Sequence, residues 1–563
     1  MSERAPVAQT GWARALLAGL RAGGVTDVVV SPGSRSTPFL LAALREEALT
    51  LHDVIDERSA AFFALGLARA GRLPLLLCTS GSAGGHYLPA VMEAAAAGLP
   101  LVVLTADRPP ELHDTGANQT TDQVGLYGRH ARFFAELGAP APGARARRGV
   151  QRRALRAATI ARGPEPGPVH LNARARKPLE EAEGAPAPER APRVFASMAA
   201  PDPAGLDAVA ALLEQAARPL FAAGPAPLDR GALAGPLARL LEATGAPLFA
   251  DAASQLAALA LPGAELAAQT EAGRAALDAD LLVQLGEAPI GRGWATLAKG
   301  RRRVVLAERG WPDPEGDAEL LLRGPLGASV AGLLERVTPA PREAWAGAWR
   351  RVAEASAHAR GGLEGELAAV GAVAAGLPEG GLLVLGNSLP VRAIDLAGAL
   401  PAGVGVVAQR GVSGIDGLVA GAAGVARGTG RPTALLLGDV SMLHDAGSLL
   451  LARGLEVPLA IVALNNDGGR IFEQLPVHGA LEAAPFEAHF AMRHGLALAP
   501  IAAAYGLEAR TLAGPDALGP ALAAALEAPG ATFLEVPVPP GSAAAATRGL
   551  RARFEAALAE GGR

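Results

Sequence analysis

The stretch GDVSMLHDAGSLLLARGLEVPLAIVALNNDGG, residues 438–469, decides the fold that the sequence predicts. An apolar run at 432–437 precedes it, and a second apolar run at 458–464 lies within it. Each run is typical of a buried strand, so Asp439 and Asn466 both follow a predicted strand end. Because ligands bind at the carboxyl edge of an open parallel sheet, we expect these two side chains to meet at such an edge.

The oxygen atoms of this stretch suit a hard divalent cation. The carboxylate of Asp439, the amide carbonyl of Asn466 and a loop carbonyl are oxygen ligands. Mg²⁺ usually takes one or two carboxylates and completes its shell with ligand phosphates. Glycines at 438, 468 and 469 allow the backbone to approach a diphosphate closely. The alternative is two ordinary strand-to-loop turns, because Gly, Asp and Asn are common turn residues.

The composition indicates a large protein of a reducing compartment. Half of the 563 residues are hydrophobic, and the net charge of −4 gives no support to nucleic-acid or anionic-membrane binding. The one cysteine, Cys78, excludes an intrachain disulfide and fits the cytoplasm. The opening MSERAPVAQT lacks the apolar core of a signal peptide, and the apolar run at 94–106 is too short to span a bilayer. We expect a cytoplasmic protein without membrane insertion.

Helical and strand patterns alternate along the chain, which favours an α/β fold of doubly wound parallel sheets. Pro- and Ala-rich segments at 180–193 and 338–343 are typical of linkers. They divide the chain into three predicted domains, 1–180, 195–338 and 345–563. The predicted strands are 27–30, 75–78, 101–105, 169–171, 220–222, 248–250, 281–285, 304–307, 320–322, 382–385, 404–407, 434–437, 459–463 and 533–536. Three unrelated Rossmann-like domains are the alternative.

The Gly-Asp and Asn-Asn pairs at this spacing resemble the diphosphate-anchoring signature of thiamine-diphosphate enzymes. That resemblance implies Asp439, Asn466 and the carbonyl of Gly468 as ligands of Mg²⁺, with Mn²⁺ as an acceptable substitute. The layout is similar to the pyrimidine-binding, central and diphosphate-binding domains of decarboxylases and synthases in this class. The resemblance also implies a homodimer or homotetramer, because the first domain of one subunit faces the third domain of another.

An acidic residue in the first domain is expected to activate the cofactor. The thiazolium C2 must lose a proton, and in this class the base is the cofactor's own amino group, made basic when a buried carboxylate hydrogen-bonds the pyrimidine. The segment DER supplies Glu57 at a predicted helix start, with Asp56 as the alternative because the helix dipole favours acidic residues there. Ile415 is assigned as the apolar wedge that folds the cofactor, or as a residue simply packed in its loop. Further cofactor contacts are assigned to Ser388, Gly438, Ser441 and Ile471.

A set of motifs spread over the first and third domains resembles one family within this class, the 2-succinyl-5-enolpyruvyl-6-hydroxy-3-cyclohexene-1-carboxylate synthases of menaquinone biosynthesis. That family decarboxylates 2-oxoglutarate and adds the resulting succinyl carbanion equivalent to isochorismate in a 1,4-addition. The motifs are SPGSRSTP (31–38), DER (56–58), TSGSAGGHYLPAVMEA (79–94), LTADRPPEL (104–112), GANQT (116–120), GNSLPVR (386–392), RGVSGIDG (410–417) and NNDGGRIFEQLP (465–476).

Two diacid substrates require several cations, preferably arginines with their bidentate fork. Arginines near predicted strand ends are Arg35, Arg108, Arg392 and Arg410. Singly each is a surface residue as readily as a ligand, but four at one sheet edge favour binding. The central segment LGEAPIGRGW (285–294) departs from the family pattern and offers only Arg292.

Other side chains of the same loops complete the predicted substrate site. Neutral donors are Ser34, Asn118 and Gln119, and an apolar wall, or ordinary helix packing, is formed by Ile471, Phe472 and Leu475. Two functional alternatives stay open. One is another thiamine-diphosphate 2-oxoacid decarboxylase or carboligase, and the other is a catalytically silent cofactor-binding protein.

Overall fold

The computed structural model describes residues 5–195, 199–398 and 400–561. The predicted domains also include residues 1–4, 196–198, 399 and 562–563, which lie outside the described residues. The described residues form three parallel sheets flanked by helices, which confirms the predicted α/β class. Each predicted domain contains one sheet, while the domain boundaries stay a prediction.

The first sheet is entirely parallel, and its central strands are buried except at Arg174, the last residue of β6. Such continuous burial matches their apolar sequence, because helices cover both faces of a parallel sheet. The strands are β1 (Asp27–Ser31), β2 (Thr50–Asp53), β3 (Pro74–Cys78), β4 (Leu101–Asp107), β5 (Phe133–Glu136) and β6 (Pro168–Arg174), in the order β2-β1-β3-β4-β6-β5. The helices are α1 (Ala5–Ala22), α2 (Thr37–Leu44), α3 (Glu57–Arg69), α4 (Leu88–Ala97) and α5 (Ala144–Arg162).

The second sheet is smaller and also parallel. Its strands are β7 (Pro219–Ala223), β8 (Leu248–Ala250), β9 (Leu281–Leu285), β10 (Arg303–Ala307) and β11 (Leu320–Arg323), in the order β11-β10-β9-β7-β8. Its helices are α6 (Pro203–Gln215), α7 (Gly231–Thr244), α8 (Ala264–Ala268), α9 (Glu271–Ala276), α10 (Arg292–Ala298) and α11 (Leu326–Leu334).

The third sheet carries the stretch at 438–469. Its strands are β12 (Leu382–Leu385), β13 (Gly405–Ala408), β14 (Thr433–Gly438), β15 (Leu459–Asn465), β16 (Glu508–Thr511) and β17 (Ala531–Pro537), in the order β13-β12-β14-β15-β17-β16. The helices of this part of the chain are α12 (Glu343–Arg360), α13 (Gly365–Gly376), α14 (Pro390–Ala397), α15 (Leu418–Thr429), α16 (Asp439–His444), α17 (Leu449–Ala452), α18 (Pro476–Ala480), α19 (Ala483–Phe486), α20 (Ala499–Ala504), α21 (Leu518–Glu527) and α22 (Ser542–Glu560).

Packing divides the chain into two compact units. The first unit contains residues 1–197, 409–430 and 444–455, and the second contains 198–408, 431–443 and 456–563. The helices α15 and α17 therefore pack with the first sheet, although they follow strands of the third sheet in sequence. The helix α15 lies directly against α3 in the first unit, where glycines allow the two backbones to approach closely. A Cβ atom on Gly66 would lie 2.1 Å from the carbonyl oxygen of Gly421.

The sequence prediction missed the strands β2, β5 and β16. Each of them is an edge strand of its sheet and none has a fully buried residue. The sequences TLHD and EART lack the apolar run that marks a central strand, and FFAE has a run of only three apolar residues. Within the described parts of the chain, no helix combines the length and apolarity needed to cross a membrane.

Candidate functional site

Asp439 and Gly468 meet at the carboxyl edge of the third sheet. The strand β14 ends at Gly438, and Asp439 is the first residue of α16, only 2% exposed. Its Oδ2 accepts a hydrogen bond of 2.8 Å from the backbone N–H of Gly468, and its Oδ1 accepts one of 2.7 Å from Val440. The neighbouring strands β14 and β15 are paired in parallel, so their ends deliver both residues to one place.

Asn466 follows the end of β15 and is 6% exposed. Its Nδ2 donates a 3.1 Å hydrogen bond to Glu366, while its Oδ1 is buried without a hydrogen-bond partner. A buried acceptor left unpaired costs free energy, so this oxygen is available to a ligand. The buried carboxylate of Asp439, the Asn466 Oδ1 and the Gly468 carbonyl fit the ligand set that Mg²⁺ prefers.

The two glycines of this site have different roles. Gly468 has φ +125°, and a Cβ there would lie 2.1 Å from the carbonyl oxygen of Ala491, so the loop itself requires glycine. At Gly438 a Cβ would meet nothing within 4 Å. Protein packing therefore gives no reason for glycine at 438, and the open space beside it suits a bound phosphate group. The predicted contact Ser441 is buried in α16 near these residues.

Glu366 and His494 also contact this site, although no motif of the sequence predicted them. Burial raises the pKa of Glu366 to about 7, with the negative charges of Asp439 and Glu473 adding to that rise. The Nε2 of His494 lies 3.1 Å from Oδ2 of Asp439. Within the described residues, no group of three or more His, Cys, Asp or Glu side chains forms a metal centre. Of the three proposed metal ligands, only Asp439 is a side chain of one of these four residue types.

Glu57 is the first residue of α3 and is half-buried. Asp56, the alternative activator, caps this helix, because its side chain accepts a 2.8 Å hydrogen bond from the backbone N–H of Arg58. Cys78 and Tyr87 are buried near Glu57. Burial raises the pKa of the Cys78 thiol to about 12, and the charge of Glu57 contributes a smaller rise. The capping contact gives Asp56 a structural role and leaves Glu57 as the better activator candidate.

The predicted wedge Ile415 is half-buried in the loop between β13 and α15, within the first unit. The Nε2 of Gln409 donates a 2.9 Å hydrogen bond to the carbonyl of Asp416 and so ties the two ends of this loop together. Arg410 is half-buried in the same loop. Ser388, in the second unit, has the unusual φ of +74°. Its carbonyl accepts a 2.5 Å hydrogen bond from Nη1 of Arg392.

Arg35 and Arg108 lie close together in the first unit. Arg35 is 3% exposed, and its Nη1 donates to the carbonyl of Ala175 at 2.7 Å, while its Nε is buried without a partner. Burial lowers the pKa of Arg35, and the positive charge of Arg108 lowers it further. The backbone carbonyl of Gln119 accepts a 3.4 Å hydrogen bond from Nε of Arg108. The predicted contacts Ser34 and Asn118 are exposed.

Arg292 and Arg392 line a cavity in the second unit that encloses about 760 Å³ of empty space, part of it open to solvent. Burial lowers the pKa of Arg392, and the charge of Arg292 adds to this effect. The predicted wall residues Ile471 and Leu475 line the same cavity, whereas Phe472 packs edge-on against Phe490. Another cavity residue, Arg551 of α22, was missed because the C-terminal helix carries no motif.

The expectation of four arginines at one sheet edge is wrong. Arg35 and Arg108 follow strands of the first sheet, while Arg392 and Arg410 follow strands of the third sheet. The structure groups Arg35 with Arg108, and Arg392 with Arg292. The physical reason is that the carboxyl edges of two different sheets carry these loops.

Comparisons with known proteins identify the class to which the chain belongs. Residues 11–126 match the family model "Thiamine pyrophosphate enzyme, N-terminal TPP binding domain", and residues 401–536 match "Thiamine pyrophosphate enzyme, C-terminal TPP binding domain". The solved benzoylformate decarboxylase of Polynucleobacter necessarius shares the fold with a TM-score of 0.73 at 18% identity, covering 94% of this chain and 98% of that chain. The chain is a thiamine-diphosphate-dependent enzyme.

The curated relatives narrow this class to one family. The 2-succinyl-5-enolpyruvyl-6-hydroxy-3-cyclohexene-1-carboxylate synthase of Sorangium cellulosum is 42% identical, covering 95% of this chain and 93% of that protein. The proteins of the same name from Geobacillus kaustophilus and Myxococcus xanthus are 38% and 36% identical, covering 88% and 98% of this chain and 89% and 98% of their own. The chain belongs to the 2-succinyl-5-enolpyruvyl-6-hydroxy-3-cyclohexene-1-carboxylate synthase family.

Proposed function

We propose that this enzyme is a transferase of menaquinone biosynthesis that decarboxylates 2-oxoglutarate and adds the remaining succinyl unit to isochorismate by 1,4-addition. The observation that carries the proposal is two arginine pairs, Arg35 with Arg108 and Arg392 with Arg292, in each of which the first arginine is desolvated by burial and lies near the positive charge of the second. Keeping like charges close together in partly dry surroundings costs free energy, which bound carboxylates would offset. Both proposed substrates are dicarboxylates.

The metal and the cofactor belong to the same proposal. Asp439, Asn466 and the Gly468 carbonyl would hold Mg²⁺ or Mn²⁺, and the open space beside Gly438 would receive the diphosphate. When bound, thiamine diphosphate supplies the nucleophilic carbon and stabilises the negative charge left by the loss of carbon dioxide. Glu57 would hydrogen-bond the aminopyrimidine ring of the cofactor, and Ile415 would support the folded conformation of the cofactor.

We extend the proposal to a homodimer or homotetramer in the cytoplasm. Ile55, two residues before Glu57, is 81% exposed. A second subunit packed at this position would cover it and shield the proposed activator from water. The only cysteine is buried, which agrees with a reducing compartment. Sedimentation velocity with the purified protein tests the assembly.

A product assay tests the reaction. The purified protein is incubated with 2-oxoglutarate and isochorismate, with and without thiamine diphosphate and Mg²⁺, and the adduct is measured by mass spectrometry together with released carbon dioxide. We expect the adduct only when both substrates, the cofactor and the metal are present. Turnover of pyruvate without adduct would support another decarboxylase or carboligase, and cofactor binding without any turnover would support a silent binding protein.

A further inference from the structure

The loop from Arg410 to Gly417 carries two of the proposed site residues, the cation Arg410 and the wedge Ile415. The loop lies outside regular structure, between β13 and α15, and packs within the first unit. A loop that must present a cation and an apolar support at fixed positions requires an anchor, because an active site tolerates only small displacements. The helix α4 of the first unit provides this anchor.

Glu93 of α4 holds the start of this loop with its carboxylate. Its side chain is buried, and its Oε1 accepts a 2.8 Å hydrogen bond from the backbone N–H of Gly411. Its Oε2 accepts a 2.6 Å hydrogen bond from the backbone N–H of Val412. Arg69 of α3 donates a 2.6 Å hydrogen bond to the same Oε1. The carboxylate thus joins α3, the helix that begins at Glu57, to the loop.

The packing at Gly411 shows how closely the loop is seated on α4. A Cβ on Gly411 would lie 2.6 Å from the carbonyl oxygen of Glu93 and 2.9 Å from the backbone nitrogen of Ala97. Both of these are backbone atoms of a helix, which cannot move aside cheaply. Contact of the backbones and hydrogen bonding by the carboxylate therefore fix the same point of the loop independently.

We propose that Glu93 is a positioning residue of the active site, which sets the place of Arg410 and Ile415 through the backbone of Gly411 and Val412. The proposal rests on the roles proposed above for these two side chains. A negative charge is required, because three N–H donors converge on two carboxylate oxygens. An amide offers only one oxygen, so in either orientation its NH₂ group would face at least one of the donors.

The variant Glu93→Gln tests this proposal. We expect kcat/KM for 2-oxoglutarate to fall about tenfold or more, since a charge-assisted contact is lost and a donor faces a donor. Hydrogen exchange of the peptide that covers Gly411 and Val412 should become faster in the variant, while peptides of the second sheet stay unchanged. Unchanged kinetics together with unchanged exchange would overturn the proposal.

Two further variants separate positioning from a general loss of stability. Gly411→Ala keeps the carboxylate but pushes the loop away from α4, so it should reproduce the kinetic loss. Asp280→Asn is the matched control, because the Asp280 carboxylate accepts backbone hydrogen bonds of 2.8 Å from Ala217 and 2.9 Å from Arg218 beside the second sheet. It should lower the melting temperature without changing kcat/KM.

The outcomes also distinguish this proposal from the proposed reaction. If the wild-type enzyme lacks activity with these substrates, the reaction is wrong, yet the exchange experiment still reports whether Glu93 anchors the loop. If the wild-type enzyme is active and Glu93→Gln loses no more kcat/KM than Asp280→Asn, the reaction stands and the positioning role is wrong.

Discussion

At the scale of single residues, Asp439 is the only charged ligand in the proposed metal set. The variant Asp439→Ala should therefore lose Mg²⁺-dependent binding of thiamine diphosphate. Isothermal titration calorimetry with the purified variant measures this directly. The matched control is Asp445→Ala, because Asp445 is also buried but hydrogen-bonds the start of α15 rather than the Gly468 loop. Tight cofactor binding by the Asp439 variant would contradict the metal assignment.

Glu57 and Asp56 can be separated by experiment. Glu57→Gln should retain cofactor binding but lose most of the activity, because an amide keeps the shape and removes the charge that activates the pyrimidine. Asp56→Ala should cost about 1 kcal/mol of stability through the lost helix cap and leave much of the activity. Steady-state kinetics and thermal unfolding of both variants measure these effects. The reverse pattern would make Asp56 the activator.

The sequence predicted Asp439 and Asn466 as site residues because each is a polar residue that directly follows an apolar strand. The sequence did not predict Glu366 or His494. Glu366 lies on α13 and contacts Asn466, and His494 lies in a later segment of the chain and contacts Asp439. No local spacing relates them to the site, since only tertiary packing brings them there. Arg551 was missed for the same reason.

At the scale of elements, the contact of α3 with α15 depends on glycine. The variant Gly66→Ala should destabilise the first unit by about 1–3 kcal/mol, because its Cβ would press on the backbone of Gly421. The control is Gly235→Ala in α7, where a Cβ would meet nothing within 4 Å. That change should be neutral or stabilising, by up to about 1 kcal/mol. Urea unfolding of both variants is the measurement, and equal effects would contradict the close packing.

His170 of β6 should make the first unit sensitive to acid. Burial lowers its pKa to about 3, and its Nε2 lies 2.8 Å from Oγ1 of Thr105. In the unfolded chain His170 takes up a proton near pH 6.5, whereas in the folded protein the His170 side chain stays neutral at that pH. Stability from neutral His170 is thus complete above about pH 6.5 and is lost on acidification, by about 1.4 kcal/mol per pH unit down to about pH 3.

The variant His170→Gln cannot take up this proton. Its free energy of unfolding should therefore fall less steeply than that of the wild-type enzyme between about pH 6.5 and pH 3. Urea titrations of both proteins across this range give the comparison. If the free energy of unfolding depends on pH equally in both proteins, the pKa of His170 is not lowered in the folded state.

The sequence predicted every central strand and the edge strands β8, β11 and β13, but it missed the edge strands β2, β5 and β16. The strands β9 and β14 consist mostly of apolar residues, as burial on both faces requires. The strands β2, β5 and β16 have no fully buried residue, and their short sequences form strands only because a buried neighbour offers hydrogen bonds. Propensity alone cannot supply that information.

At the scale of the whole molecule, we expect the four predicted arginines to bind different substrates, two of them 2-oxoglutarate and two of them isochorismate. We expect Arg392→Ala and Arg410→Ala to raise KM for 2-oxoglutarate by about ten- to a hundredfold, as loss of a charge-assisted contact does. Arg35→Ala and Arg108→Ala should act chiefly on KM for isochorismate. Arg302→Ala is the control, because its ion pair with Glu319 is exposed. Unchanged KM values in all four variants would leave diacid recognition without support.

The sequence predicted three α/β regions from the alternation of elements and from the linkers between them. It gave no indication that residues 409–430 and 444–455 pack with the first sheet. These segments follow strands of the third sheet, so a pattern read along the chain assigns them there. Helix packing through small residues, as at Gly66 and Gly421, is decided by surfaces that a one-dimensional pattern does not contain.

The burial of Cys78 makes this chain a convenient starting point for site-specific labelling. It is the only cysteine in the sequence, and its raised pKa of about 12 leaves almost no thiolate at neutral pH. Maleimide dyes react with thiolates, so the native protein should give little background. One cysteine introduced on the surface, such as Ser34→Cys beside Arg35, would then carry a single fluorophore that reports on ligand arrival in real time.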